Sequence, residues 1–253
     1  MASRFADRIV VITGAGGGLG SAMARGFAGE GAELVLTDVE EKGLERIAQE
    51  LRGTGTVCST HVLDLAVESQ ITSFAAEICE RHPKVHVLIN NAGLAYGEIN
   101  HDIAAHSQRK WLYFFAVNSV APLLLGLALQ PALAAAKGVI INQSSMASYM
   151  PANAYGITKA TLNSMTCAMA YKFGADGIRV NAIAPGIMET PASKGELTPE
   201  TYARVQGMQL LKLHGTADDI VNLALFLASD DARFINSEIV HCDAGNQLRG
   251  WRV

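Results

Sequence analysis

Residues 8–20 read Arg-Ile-Val-Val-Ile-Thr-Gly-Ala-Gly-Gly-Gly-Leu-Gly. Five apolar or β-branched positions, 9–13, make a short strand with no polar face, and a run of glycines then ends it. Glycine lets the backbone turn tightly and approach a pyrophosphate, which sits on the positive end of the helix that follows. The G-x-G-x-x-G spacing fails here. From Gly14 and Gly16 the third position is Leu19, and from Gly16 and Gly18 it is Ser21. The spacing that fits is G-x-x-x-G-x-G, on Gly14, Gly18 and Gly20.

Outward from this turn the chain alternates. β-branched runs at 8–14, 32–39, 56–65, 85–93, 138–145, 178–186 and 237–243 are separated by stretches of helical period at 18–30, 41–52, 67–81, 108–136, 154–174 and 216–229. Strands apolar on both faces belong in parallel sheets covered on each side. The pattern predicts an α/β, Rossmann-like, doubly wound fold: a seven-stranded parallel sheet with helices on both faces, one domain over 1–253. Ligands of such sheets bind beyond the carboxyl ends of the strands. Segment 189–215 lacks a strand and reads as an insertion over that edge, a substrate lid.

Composition narrows the class. Of 253 residues, 49% are hydrophobic and 17% charged, which excludes a disordered chain. Twenty basic against twenty-four acidic residues, with no basic block, argue against nucleic acid as a partner. Cys58, Cys79, Cys167 and Cys242 lie far apart, without metal-ligand spacing, as expected of reduced thiols in a cytoplasmic protein. The N-terminus has no signal-peptide core. The longest apolar stretch, 120–136, holds Pro122, Gln130 and Pro131 and reads as a buried helix, not a membrane span.

The polar residues with chemical potential fall at strand ends. Asp38 ends the second strand, eighteen residues past Gly20, where a carboxylate accepts hydrogen bonds from an adenosine ribose diol and repels a 2′-phosphate. The nearest base in sequence is Lys42, so NAD is the expected cofactor rather than NADP. Asp64-Leu65 ends the third strand, with Asp64 positioned for an adenine amino group. Asn90-Asn91-Ala92-Gly93 makes a small polar turn after the fourth. Tyr155 and Lys159 lie four apart and so share a helix face; an ammonium near a phenol favours phenolate. Ser144-Ser145 ends the preceding strand, and a serine hydroxyl there can hold a substrate oxygen.

Together, Thr13-Gly14-xxx-Gly18-x-Gly20, Asp38, Asp64, Asn90-Asn91-Ala92-Gly93, Asn118, Ser145, Tyr155-xxx-Lys159 and Pro185-Gly186-xxx-Thr190 resemble the short-chain dehydrogenase/reductase family from about residue 6 to 247. The resemblance implies an NAD-dependent oxidoreductase that interconverts a secondary alcohol and a ketone. It makes Tyr155 the general acid/base, with Ser145 orienting the reacting oxygen. Lys159 would bind the nicotinamide ribose and lower the pKa of Tyr155, and Asn118 would help hold a proton-relay water. It assigns cofactor contacts to Gly14, Gly18, Leu19, Gly20, Asp38, Asp64, Leu65, Asn91, Ala92, Gly93, Tyr155, Lys159, Pro185, Gly186, Met188 and Thr190, with no metal.

One spacing departs from the family. Nine residues, 146–154, separate Ser145 from Tyr155, fewer than usual, and a count alone points to Ser144 or Asn142. Ser145 is the expected residue because it is the second serine after the strand. The expected substrate pocket is apolar, from Met146, Tyr149, Met150, Met188, Tyr202, Met208, Leu210 and Leu211, suited to a small or medium uncharged substrate. Lys194, Arg204 and Lys212 read as solvated. His101, His106 and His214 read as solvated or capping, and His241 as structural. Helices 108–136 and 154–174 are expected to pair subunits into a homotetramer. The tail Leu248-Arg249-Gly250-Trp251-Arg252-Val253 is expected to dock on a neighbour or to fray. The alternatives are a 3-oxoacyl-thioester reductase and, more remotely, an NAD-sensing interaction protein without turnover.

Overall fold

A computed structural model describes residues 3–189 and 198–246. Thr190, Lys194 and the Trp251 tail lie outside the described residues.

Seven parallel strands form one sheet in the order β3-β2-β1-β4-β5-β6-β7. They are β1 (Ile9–Thr13), β2 (Glu33–Asp38), β3 (Cys58–Val62), β4 (Val87–Asn90), β5 (Val139–Gln143), β6 (Arg179–Pro185) and β7 (Ile239–Cys242). The order reverses between β1 and β4, so a crevice opens beyond the strand ends at that point. This is the predicted architecture.

Alternation along the strands builds two cores. Val10, Ile12, Leu34, Leu36, Ile89 and Ile141 face one side. There they pack against α1 (Gly18–Gly29), α2 (Glu41–Gly53) and a helix late in the chain (Ala217–Ala228). Val11, Val35, Leu88, Ile140 and Val180 face the other side. Those meet α3 (Glu68–Arg81), the 108–136 region and a twenty-residue helix (Ala154–Phe173).

The 108–136 region is not the single helix that its apolar period predicts. It divides into α4 (Gln108–Phe115), a π turn (Ala116–Val120), α5 (Ala121–Ala128) and α6 (Gln130–Ala136). Two prolines account for the breaks, because proline has no N–H to return to the carbonyl one turn back. Pro122 follows the π turn and Pro131 lies at the start of α6. The stretch Gln108–Ala128 is long and apolar enough to cross a membrane by length and composition alone. In this fold it is a layer helix: Leu125 and Leu129 are fully buried in the core, and Ser119 donates to the carbonyl of Thr158 at 2.9 Å.

After the helix Ala154–Phe173, designated α7, come α8 (Pro199–Gly207) and α9 (Ala217–Ala228). The expected lid segment 189–215 is thus partly helical: Thr198 caps α8 by accepting from Thr201, and Pro199 stands in its first turn. Lys212 is exposed, as expected, and is also tied to the backbone. It donates to the carbonyl oxygens of Gly207 (2.7 Å) and Gln209 (2.5 Å), closing the C-terminal end of α8.

Asn142, which the spacing count offers as an alternative to Ser145, lies in β5 with no exposure, away from the crevice. It accepts from Asn90 at 2.8 Å and donates to Thr166 at 2.9 Å. This polar bridge ties two central strands to α7 beneath the site. Asn142→Ala leaves both partners short of a bond in the core and should cost about 2–4 kcal/mol. Urea unfolding tests this, and a variant as stable as wild type would contradict it.

Candidate active site

The crevice is a cleft of about 1310 Å³ along the carboxyl ends of β1 to β6. One end is shaped by the glycine turn. Gly14 has φ +65°, and a Cβ on it would lie 2.8 Å from the Cα of Ala92. A Cβ on Gly20 would lie 2.0 Å from the carbonyl oxygen of Gly14. No side chain can be accommodated at either position, so the backbone of β1 runs hard against the turn after β4. Gly14, Gly18 and Leu19 line the cleft, whereas Gly20 is packed beneath the turn. The contact assigned to Gly20 from sequence is therefore a packing contact with Gly14.

Thr13 and Asn91 lock this arrangement. The Thr13 hydroxyl accepts from the backbone N–H of Asn91 (3.1 Å) and of Ala92 (3.0 Å). The Asn91 amide donates to the carbonyls of Thr13 (2.9 Å) and Gly14 (3.1 Å). Asn91, Ala92 and Gly93 all line the cleft, with Asp64 and Leu65 at the end of β3. Asp64 also accepts from the N–H of Ala66, which fixes its carboxylate.

Asp38 ends β2 on the cleft wall. One carboxylate oxygen accepts from the Gly16 N–H at 2.9 Å and the other from Glu40 at 3.0 Å. Each retains a further lone pair for a ligand. Sequence spacing makes Lys42 the nearest base, but in space Arg46 is closer to the turn: it reaches back from α2 and donates to the Gly16 carbonyl at 3.2 Å. Arg46 does not line the cleft.

At the other end, Asn153 caps α7 by accepting from the Gly156 N–H (3.0 Å), which places Tyr155 in the first turn and Lys159 one turn on. Ser145 caps the 3₁₀ turn Met146–Tyr149, accepting from the Ala147 N–H at 3.2 Å. Its hydroxyl stands close enough to that of Tyr155 to favour the phenolate. Ser144 is turned away and donates to Asn163 at 2.5 Å. Of the three residues offered by spacing, only Ser145 meets Tyr155. Lys159 is 3% exposed, and its ammonium donates to the Gln143 carbonyl at 2.6 Å, 5.9 Å from the centre of the Tyr155 ring.

Burial sets both proton affinities. It lowers Lys159 to about 8. It raises Tyr155 above its ordinary value, an effect that the Ser145 hydroxyl reduces. The sequence expectation was an ammonium that pulls the phenol down. In the protein's own field desolvation prevails, so Tyr155 holds its proton firmly.

Asn118 stands in the π turn, wholly buried behind the cleft. Its carbonyl accepts from the Leu94 N–H (2.7 Å), and its amide donates to the Leu94 carbonyl (3.0 Å) and to Thr158 (3.1 Å). The side chain thus brackets the segment after β4. Pro185, Gly186, Ile187 and Met188 line the cleft after β6, and Gly186 is anchored by its N–H to the Cys242 carbonyl at 2.8 Å.

The expected pocket is half right. Met146, Met150, Met188 and Met208 line the cleft. Tyr149 packs on His241 (4.4 Å between rings), Tyr202 stacks with His214, and Leu210 and Leu211 are exposed. His101 lines the cleft, His106 packs among Trp111 and Phe114, and His214 pairs with Glu189 at 3.0 Å. Residues that sequence reasoning missed include Tyr96, Asn100, Tyr113 and Gln143. Nothing in a local pattern marks them, because they come from separate elements: Tyr96 and Asn100 from the segment after β4, Tyr113 from α4 and Gln143 from the end of β5.

A nicotinamide dinucleotide fits these residues. The turn at Gly14 presents bare backbone to the cleft, Asp38 ends on its wall, and Gln143 lines it with a buried side-chain amide oxygen, Oε1, that has no hydrogen-bond partner among the described residues.

Fold and site define a nicotinamide-dependent oxidoreductase. A family profile described as "Enoyl-(Acyl carrier protein) reductase" matches residues 14–247. The chain is 34% identical over 250 residues to 2,5-dichloro-2,5-cyclohexadiene-1,4-diol dehydrogenase LinX of Sphingobium indicum, covering 97% of this chain and 98% of the relative. It is 30% identical over 248 residues to meso-2,3-butanediol dehydrogenase of Serratia marcescens, covering 96% and 95%. Its structure is similar to a 7α-hydroxysteroid dehydrogenase complexed with NADH and 7-oxo glycochenodeoxycholic acid, with TM-score 0.89, 27% identity and coverage of 97% and 96%. The chain belongs to the short-chain dehydrogenase/reductase family, and it is an alcohol dehydrogenase/ketone reductase that uses a nicotinamide cofactor.

The buried lysine has a measurable consequence. With its pKa at about 8 in the folded protein and about 10.4 in an unfolded chain, the unfolded state binds more protons between those values. Stability must then rise with pH across that window. Lys159 lowers stability by on the order of 3 kcal/mol at pH 7, and this penalty fades as the pH climbs through 8 towards 10.5. Urea unfolding of the cofactor-free protein at pH 7 and 9.5 should show a gain about 2 kcal/mol larger in wild type than in Lys159→Met. Equal pH dependence would contradict it.

Proposed function

We propose that the chain is an NAD-dependent dehydrogenase that interconverts a secondary alcohol and a ketone, with Tyr155 as the general acid/base. The observation that carries this reading is the convergence of Ser145, Tyr155 and Lys159 at the end of β5: one hydroxyl beside the phenol and one buried ammonium a turn away. A bound oxidised nicotinamide supplies the hydride acceptor and a positive ring. Ser145 orients the substrate oxygen, and Tyr155 takes the hydroxyl proton in oxidation or returns it in reduction. Lys159, anchored on Gln143, holds the ribose hydroxyls and adds positive charge near the phenol. The Asn118 turn, opened by Pro122, supports the water that returns the proton to solvent.

Gly14, Gly18 and Leu19 hold the pyrophosphate. Asp64, Leu65, Asn91, Ala92 and Gly93 line the adenosine side and the cofactor's path over the sheet. Pro185, Gly186, Met188 and Thr190 hold the carboxamide end. NAD rather than NADP follows from Asp38, whose carboxylate suits a ribose diol and repels a 2′-phosphate. Segment 189–215 covers the substrate. The protein acts in the cytoplasm, in keeping with four free thiols. It assembles as a homotetramer through α4, α5 and α7, where Leu112, Leu127 and Tyr171 are exposed. The second reading is a 3-oxoacyl-thioester reductase, to which the family profile's description lends only the acyl-thioester class of substrate. NADPH-dependent reduction of an acetoacetyl thioester, faster than oxidation of any simple alcohol, would establish it.

NADH formation from NAD and a panel of secondary alcohols tests the leading reading. Tyr155→Phe should lose about 10²-fold or more in kcat, and equal rates would remove Tyr155 as the base. Asp38→Ala should shift the NAD:NADP preference towards NADP by about tenfold or more, because it removes a like-charge repulsion. An unchanged ratio would contradict the cofactor assignment.

A further inference from the structure

Charge is segregated along the cleft. The acidic residues that line it, Asp38, Glu40 and Asp64, all stand at the ends of β2 and β3, where the adenosine half of the cofactor lies. Among the described residues, no carboxylate lines the opposite end. Apart from Lys159, the basic side chains lining that end are His101 and Arg204.

Arg204 belongs to α8, and its direction follows from helical period. Thr201, Arg204, Val205 and Met208 all line the cleft, and positions i, i+3, i+4 and i+7 make one helix face. Arg204 is thus on the stripe turned towards the catalytic end, and it is solvent-exposed there, as the sequence suggested. Its guanidinium has no hydrogen-bond or ion-pair partner among the described residues, and Glu200, one turn earlier, is not paired with it. The neighbouring Val205 is buried and Met208 partly so. The guanidinium therefore stands at the edge of an apolar wall.

We infer that Arg204 recognises a carboxylate on the substrate, remote from the reacting carbon, so that the enzyme acts on hydroxy acids or oxo acids with an apolar body. This rests on the alcohol dehydrogenase reading and names its substrate class. A planar guanidinium matches a carboxylate with two parallel hydrogen bonds. The methionines Met146, Met150 and Met208 line the same cleft and supply adaptable apolar surface for the body of the substrate. A single guanidinium with one imidazole balances a monoanion better than a doubly charged phosphate group.

The test compares straight-chain hydroxy acids of graded length, each with a secondary hydroxyl far from the carboxylate, against their methyl esters. NAD is the oxidant for wild type, Arg204→Gln and Arg204→Glu. At the best length kcat/KM for the acid should exceed that for the ester on the order of tenfold to a hundredfold, mainly through KM. Arg204→Gln should bring the ratio to about one, and Arg204→Glu should invert it. Acids no better than esters at every length, or a preference that survives in Arg204→Gln, would overturn the inference. If esters are oxidised without any acid preference, the dehydrogenase reading stands and only the anion site falls. If no alcohol is oxidised, a second readout decides: with NADH present, a straight-chain carboxylic acid without a hydroxyl should raise the unfolding midpoint of wild type but not of Arg204→Glu. No difference between the two proteins would again overturn the inference.

Discussion

The hydrogen bond from the Lys159 ammonium to the Gln143 carbonyl is the constraint on which the site depends. A charge that is 3% exposed needs a partner, and the 2.6 Å contact supplies one from the last residue of β5. For that contact to form, α7 must lie across the end of β5 with Lys159 facing inward. The same geometry brings Tyr155, one turn earlier, over Ser145. Burial lowers Lys159 to about 8 and raises Tyr155. At neutral pH Lys159 therefore remains mostly the ammonium, whereas Tyr155 is held as the neutral phenol until a ligand adds charge. That suits a catalytic phenol, whose proton affinity must fall only when substrate and cofactor are in place.

The rest of the cleft is stiffened before any ligand arrives. Thr13 and Asn91 satisfy the backbone on either side of the first turn, Asn118 brackets Leu94, and Asp38 ties the glycine turn to the start of α2. Each residue uses part of its hydrogen-bonding capacity on the fold, and several face the cleft with what remains. Pre-organisation of this kind reduces the entropy lost when a flexible dinucleotide is bound. It also explains why so many polar residues gather at the strand ends. They are required there by the backbone as well as by the chemistry.

Much of this was legible in the sequence, because periodicity and strand-end polarity are local signals. Strand-by-strand alternation predicted the seven-stranded sheet, and the i, i+4 relation put Tyr155 and Lys159 on one face. Ser145 could not be separated from Ser144 or Asn142 by counting. The answer lay in which partners each side chain finds: Asn163 for Ser144, and Asn90 with Thr166 for Asn142. The break at 116–120 was hidden by the helical period of the flanking apolar residues, although Pro122 was the clue. Arg204 is exposed, as read, but its place on the cleft was not legible, because its direction depends on where the Thr198 cap starts the helix. Arg46 illustrates the same limit, since a base distant in sequence came to rest on the glycine turn.

The central claim is that Tyr155 keeps its proton in the protein's own field and yields it when oxidised cofactor is bound. Ultraviolet difference titration of the phenol, wild type minus Tyr155→Phe, measures this directly with and without NAD. The account predicts ionisation above the ordinary tyrosine value of about 10 in the cofactor-free protein and a lower value with NAD bound. The same titration midpoint in both states would contradict it.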